Sequence, residues 1–425
     1  MRHRLLTILL VLLLCAPGAS AQKLQAQAAG TAAAPVHSVR PDSAHWFPAA
    51  ACVLGVNGSM LLLNRYLFDF GYSHVTRQTI RQNFRTGFVW DNDSFLLNQT
   101  GHPIQGGFFH ICARACGLSY WEALPLDILG SLTWELFGET DPPSLNDLVT
   151  TPVAGLAVGE MLWRTGSLIF DRASGRGGEA ISGEVQAGWR LSAGRSGGYA
   201  AVRFEYGDPS AEEGDSPYDH FSVRLQAGFG GGQPFAQEEE ITGRIWGSSH
   251  ISRRGGDVTF GIYQHFRYYE SAAISVSQSA CFGPGAVIRR GAFDQRLFAS
   301  AVLMGAVTAD HYRVLDRDYC FGSGFSLESV TTCGIGSRVR MSLGLSHLQL
   351  FSSERQGEAG TKGVTAVRPE IRFLLGGGFG ISLTSRLIGL HSHCRIPSAS
   401  GAVSDRVPAA FTGSFDLQAG TVWAF

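Results

Sequence analysis

Beyond Arg172 apolar and polar residues alternate along the chain. Phe221, Val223, Leu225, Ala227 and Phe229 interleave with Ser222, Arg224, Gln226 and Gly228. Val202, Phe204 and Tyr206 flank Arg203 and Glu205, and Ile371, Phe373 and Leu375 sit among Glu370, Arg372 and Leu374. A period of two puts apolar side chains on one face of a strand and polar ones on the other. The last segment repeats the pattern from Phe411 through Phe415, Leu417 and Trp423 to a terminal Phe425. Lipid demands a closed sheet, apolar outside and polar within. The pattern therefore predicts an antiparallel transmembrane β-barrel over residues 173–425, with about twelve strands of roughly ten residues. Arg203, Glu205, Arg224, Arg338, Arg340, Glu370 and Arg372 are expected to line its lumen. The polar tracts 207–219, 231–239, 353–362 and 396–408 are expected to be its loops.

Before residue 172 the period changes, which makes the fold class α+β. Helices are expected near 104–116, 123–139 and 145–166. In the second, Asp127, Ser131, Glu135 and Glu139 recur every four residues and share a face, beside Ile128, Leu132 and Leu136. Ser144 and Asp147 fit a capping box for the third. Pro152 is expected to kink that helix or split off its first turns. Gly155 and Gly159 let another backbone approach, and Glu160 can pair with Arg164 one turn on. Residues 46–68 are apolar enough to raise a spanning helix, but Gly55, Asn57, Gly58 and Asn64 interrupt them, so packing after export is expected. Arg65, Arg77, Arg81 and Arg85 then form a basic stretch, read as a solvated face or as a partner of carboxylates or lipid phosphates.

Residues 1–21 carry Arg2 and Arg4, the apolar run Leu5 to Leu14 and Ala19-Ser20-Ala21, which reads as a secretory signal peptide. A lipoprotein reading through Cys15 is disfavoured by Leu14. Residues 22–44 read as a flexible leader and 45–172 as a helical module, placed by export on the periplasmic side. The net charge is −1 and the sequence pI about 6.9, which argues against nucleic acid as a partner. Seven cysteines remain after Cys15, none with zinc spacing, and Cys112 and Cys116 read as buried apolar side chains.

The window from Trp90 to Glu160 holds nine carboxylates against one basic residue, Arg114. His102, Glu135, Glu139 and Asp147 are its candidate catalytic group. A histidine with carboxylates on packed helices suits a divalent metal or acid–base hydrolysis. Each also has a structural account: Asp147 as a cap, Glu139 as a solvated helix end, His102 as a backbone partner. Arg114 is expected to pair with Glu135 or Glu122. The absence of a Gly-x-Ser-x-Gly elbow, a His-Glu-x-x-His helix and a phosphate loop weighs against hydrolysis. No cofactor is assigned.

The window resembles an uncharacterised bacterial outer-membrane-associated family, domain-of-unknown-function family 3943. The resemblance rests on Trp90 to Phe95, Asn98 to Pro103, Ala113-Arg114, Ser131 to Glu135, Glu139 to Asp147 and Gly155 to Glu160, with Tyr263 to Phe266 resembling its barrel half. It implies a helical module followed by a barrel in the cell outer membrane, with outer-membrane lipid and a periplasmic envelope component as the partners that location suggests. Gln105 stands where the family often has a second histidine, which argues against a two-histidine metal site. The family implies no reaction. Two readings follow: a structural, transport or envelope-interaction barrel, and a membrane-anchored hydrolase of envelope lipid or glycan.

Overall fold

The computed structural model describes residues 44–90, 95–173, 181–192, 194–207, 217–230, 233–253, 256–271, 274–308, 320–352, 359–395 and 410–424. Residues 1–21, expected to be a signal peptide, and Asp91 and Asp93 lie outside them. Among the described residues five α-helices precede twelve strands. The helices are α1 (Trp46–Leu62), α2 (Arg77–Thr86), α3 (His102–Ala115), α4 (Tyr120–Phe137) and α5 (Asp147–Ala173). A π-helical turn, Leu63–Leu67, extends α1, and another, Leu97–Gly101, leads into α3.

The strands are β1 (Ile181–Ser192), β2 (Arg195–Tyr206), β3 (Phe221–Gly230), β4 (Gln233–Arg253), β5 (Gly256–Glu270), β6 (Ser275–Arg290), β7 (Phe293–Thr308), β8 (Cys320–Ile335), β9 (Val339–Ser352), β10 (Ala359–Gly376), β11 (Phe379–Arg395) and β12 (Ala410–Ala424). Each pairs antiparallel with its sequence neighbours, and β12 closes on β1 with Trp423 opposite Val185. One end carries the tight connections after Arg253, Arg290, Ile335 and Gly376, together with the start of β1 and the end of β12. At the other end, the long-loop end, the sequence runs longest between strands, after Thr308 and Arg395.

Which face is the lumen follows from pairs between strands that are not neighbours. Arg296 on β7 bonds Glu205 on β2 at 2.8 Å, and Arg372 on β10 bonds Glu184 on β1 at 2.9 Å. Arg368 on β10 reaches Glu238 on β4 at 3.2 Å, and Arg267 on β5 pairs with Glu328 on β8. Such contacts must cross the barrel, so these side chains point inward. Arg203 and Arg340 share that face through their register with Arg224 and Arg372. Arg338 does not: it lies in the turn before β9. Towards the long-loop end Val276, Val302, Leu348, Leu350, Ile388 and Leu390 cluster within the same lumen. Outward, Trp189, Phe325, Leu343, Ile381 and Phe415 are exposed, an apolar belt that only lipid covers at low cost. The protein is an outer-membrane β-barrel.

The tract 231–239, expected to be a loop, is strand from Gln233 on. Its polarity has a different cause: Glu238 faces the lumen arginines, while Ile241 three residues on faces the helices. Pro152 does not split α5, which is assigned unbroken over 27 residues. The third helix is thus longer than the alternation suggested, and α3 and α4 begin two and three residues earlier than expected.

Candidate functional site

The helices lie against the outside of the barrel. Along β5, His265, Arg267 and Tyr269 face the lumen, so Gln264, Phe266 and Tyr268 face out. It is this outward set that α5 covers. Phe266 and Tyr268 share one buried cluster with Ala154, Ala157, Met161 and Leu168 of α5. The Gln264 amide donates to the Val153 carbonyl at 2.7 Å, and its oxygen accepts from the hydroxyls of Tyr120 (2.6 Å) and Tyr218 (3.0 Å). Phe95 packs on Tyr268 with ring centroids 5.6 Å apart. At the short-turn end the one long connection, from Tyr206 to Phe221, supplies the Pro217 carbonyl to Arg164 at 2.7 Å. A plug inside the lumen is not what the described residues form.

Helix α3 crosses α5 at backbone contact. A Cβ on Gly106 would sit 1.8 Å from the Thr151 carbonyl oxygen, and one on Gly159 would sit 2.5 Å from His110 Cβ. The expected role of Gly155 and Gly159 holds, with Gly106 and Gly107 as the facing half. Helix α4 completes the layer with inverted polarity. Asp127, Ser131 and Glu135 are buried, while Trp121, Ile128 and Phe137 are exposed.

The close crossing assembles a buried charge network. Glu160 accepts from Arg114 Nε at 2.7 Å, from Arg114 Nη2 at 3.2 Å and from Arg164 Nε at 2.8 Å. His110 lies between Asp127 (Nδ1, 3.0 Å) and Glu160 (Nε2, 3.1 Å). With an acceptor oxygen at each ring nitrogen, both nitrogens carry a proton or one carboxyl does. Arg114 therefore pairs with Glu160, where Glu135 or Glu122 was expected. Glu122 is held in a capping box with Ser119. Glu135 accepts the Ser144 backbone N–H at 2.7 Å.

That last bond also corrects the expected cap of α5. Ser144 Oγ does accept from the Asp147 N–H at 3.1 Å, but the Ser144 N–H donates to the Glu135 carboxylate of α4. The Asp147 carboxylate is turned instead towards His102, with Oδ2 3.6 Å from Nε2. His102 Nδ1 lies 3.3 Å from the Thr151 hydroxyl. His102, Glu135 and Asp147 are all buried, and one ligand atom from each lies within 4.8 Å of the others. One nitrogen and two carboxylate oxygens in that space form a donor set for a divalent cation. Glu139 is not brought in. It is partly buried at the end of α4, where its carbonyl accepts from Asn83 at 3.1 Å.

His110, Asp127 and Glu160 are the buried set that the candidate list missed. The signal was present: His110 and Arg114 share a helix face, and Gly155-x-x-x-Gly159-Glu160 provides a close-crossing face that ends in a carboxylate. Cys112 of α3 is a buried side chain as expected, while Cys116, at the helix's C-terminal cap, is only partly buried; both are free thiols.

No curated protein matches the chain. Among solved structures the barrel is similar to in-vitro-folded OmpT, an outer membrane protein of Vibrio cholerae, at 6 % identity over 58 % of this chain and 97 % of that one, TM-score 0.27. It is similar to KdgM porin at 6 % identity over 58 % and 99 %, TM-score 0.28. OprD from Pseudomonas aeruginosa is similar at 8 % over 57 % and 65 %, TM-score 0.27. The closed strand ladder and its apolar exterior establish the fold without them. Residues 87–189, from the end of α2 through α5 into β1, match the family described as a domain of unknown function (DUF3943).

Proposed function

We propose that this protein works at the lipid-facing flank of its barrel, as an envelope-interaction module, rather than by passing solutes through its lumen. The observation that carries this reading is the seating of α5 on the outward face through Gln264. A helical layer on that face displaces lipid, and its inverted polarity, with carboxylates inward and Trp121 and Ile128 outward, suits lipid as the surrounding solvent. The periplasmic-side placement expected from the sequence is kept for the end that holds Arg164, while the rest extends along the wall. The lumen supports the same reading, since ion pairs and an apolar layer occupy the space that a pore needs. Purified protein in planar bilayers is expected to give no steady ion conductance. Regular porin-like steps would overturn the reading.

A second reading, hydrolysis of envelope lipid or glycan, is favoured by the convergence of His102, Glu135 and Asp147. A divalent cation held there would polarise an ester or phosphoryl oxygen and activate water. Release of fatty acid, phosphate or sugar from extracted envelope lipid, lost in Glu135→Gln, tests it. No release by the wild type sets it aside.

A further inference from the structure

We infer that α1 crosses the outer membrane beside the barrel, and that Arg77, Arg81 and Arg85 of α2 bind phosphate groups of lipid headgroups at its far end. The inference rests on the lipid-level placement proposed above. Trp46–Leu67 is one continuous helical stretch of 22 residues, and its most apolar 18-residue window has mean hydropathy 1.6. Its 17 α-helical residues rise about 26 Å at 1.5 Å each, and the π-helical turn Leu63–Leu67 carries the chain on across a hydrocarbon core of roughly 30 Å. It does not pack away as a core helix would. Ala49 and Val53 are buried, but Leu54 is 46 % exposed and Leu62 58 %. The sequence expectation that this segment packs after export therefore holds for one narrow stripe alone. Aromatic residues mark both its ends, Trp46 and Phe47 at one and Tyr66 at the other, where an interfacial belt places them.

The orientation of α1 follows from its neighbours. Its first turn is tied to the end of α3 by the His45 N–H on the Cys116 carbonyl at 3.0 Å, next to Arg114. That is the short-turn end, where Arg164 meets Pro217. Midway, Asn57 donates to the Gly130 carbonyl and to the Thr133 hydroxyl of α4. Beyond its end, α2 is fastened to the opposite end of α4: Asn83 donates to the Glu135 and Glu139 carbonyls, and Phe84 meets Phe137 edge-on. So α1 runs the height of the module and delivers α2 to the leaflet on the long-loop side.

Arg77, Arg81 and Arg85 recur every four residues, lie on one face of α2 and are exposed. Phe84 and Phe88 beside them are exposed too. A row of guanidinium groups with adjacent aromatics, held at headgroup depth by an apolar helix, complements anionic phosphate, which Arg grips through paired N–H donors.

Two measurements on the full chain test this separately. A benzophenone side chain at Leu54, activated in native membranes, is expected to form lipid adducts; adducts confined to water or protein would overturn the lipid-level placement itself. Phosphatidic acid, titrated onto detergent-purified protein and followed by native mass spectrometry, is expected to bind at least tenfold more tightly than phosphatidylcholine. Arg77→Gln/Arg81→Gln/Arg85→Gln should abolish that preference while keeping the Leu54 adduct and the heat-modifiable barrel. An unchanged preference in the triple variant, or full displacement by inorganic phosphate, would overturn the phosphate assignment while leaving the placement standing.

Discussion

Gln264 of β5 and Val153 of α5 are joined by a 2.7 Å hydrogen bond on the outward side of the barrel wall. Outward positions elsewhere hold Leu, Phe and Trp, so an amide there needs a reason. It caps a carbonyl of α5 and gathers two tyrosine hydroxyls. The reason is the helix layer itself, which covers this part of the wall and presents a backbone carbonyl and two tyrosine hydroxyls to the amide.

Gln264→Leu should therefore loosen the module and leave the barrel. It strips the acceptor from two buried tyrosine hydroxyls, each worth about 1–3 kcal/mol when stranded. Limited proteolysis should cut between residues 45 and 172 at lower protease, with the boiled-versus-unboiled gel shift unchanged. Equal protection in both proteins would show that the bond does not hold the module.

The glycines of the α3–α5 crossing give a contrast within one helix. Gly155→Ala places a methyl 2.5 Å from the Gly106 carbonyl carbon. Backbone must shift, at about 1–3 kcal/mol or more. Gly166→Ala, with nothing within 4 Å, should be neutral or stabilising by roughly 0.5–1 kcal/mol. Thermal melting of the two variants checks the order.

Glu160→Gln should be the most damaging single change in the module. It removes the charge that compensates Arg114, which is 3 % exposed, at a cost of about 3–5 kcal/mol. Arg114→Met/Glu160→Gln should recover part of the loss. Glu135→Gln, which keeps an oxygen for the Ser144 N–H, should cost less than Glu160→Gln. Denaturation midpoints of the four proteins test the ranking, and a ranking led by Glu135→Gln would contradict the assigned partners.

If His102, Glu135 and Asp147 hold a divalent cation, chelation should lower the melting temperature of the wild type and leave Glu135→Gln unmoved. Metal content measured on both proteins before and after chelation separates a bound ion from a purely polar cluster. Equal shifts in the two would remove the cation from this site.

Much of this architecture was legible in the chain. Alternation in β3, β10 and β12 carries both the barrel and its inside-out polarity, because one pleat fixes each side chain's face. Gly155, Gly159 and Glu160 announced a close crossing. What alternation could not carry was where the second layer sits. Gln264 and Phe266 are ordinary members of a half-polar strand until a helix is found against them. The partner of Arg114 failed for a related reason: Glu122 and Glu135 are nearer in sequence, but capping and the Ser144 N–H already engage them. Glu139 shared the helical spacing of Glu135, yet α4 ends at Phe137 and its periodicity stops with it.

The seating of the module on the outer wall is tested most directly by a photoreactive benzophenone at Phe266, an outward position buried under α5. Phe325, outward and 41 % exposed, serves as the lipid-facing reference. Activated in intact membranes, the Phe266 probe should crosslink within the chain, to peptides from residues 95–168, while the Phe325 probe captures lipid. Lipid adducts at both positions would contradict the account.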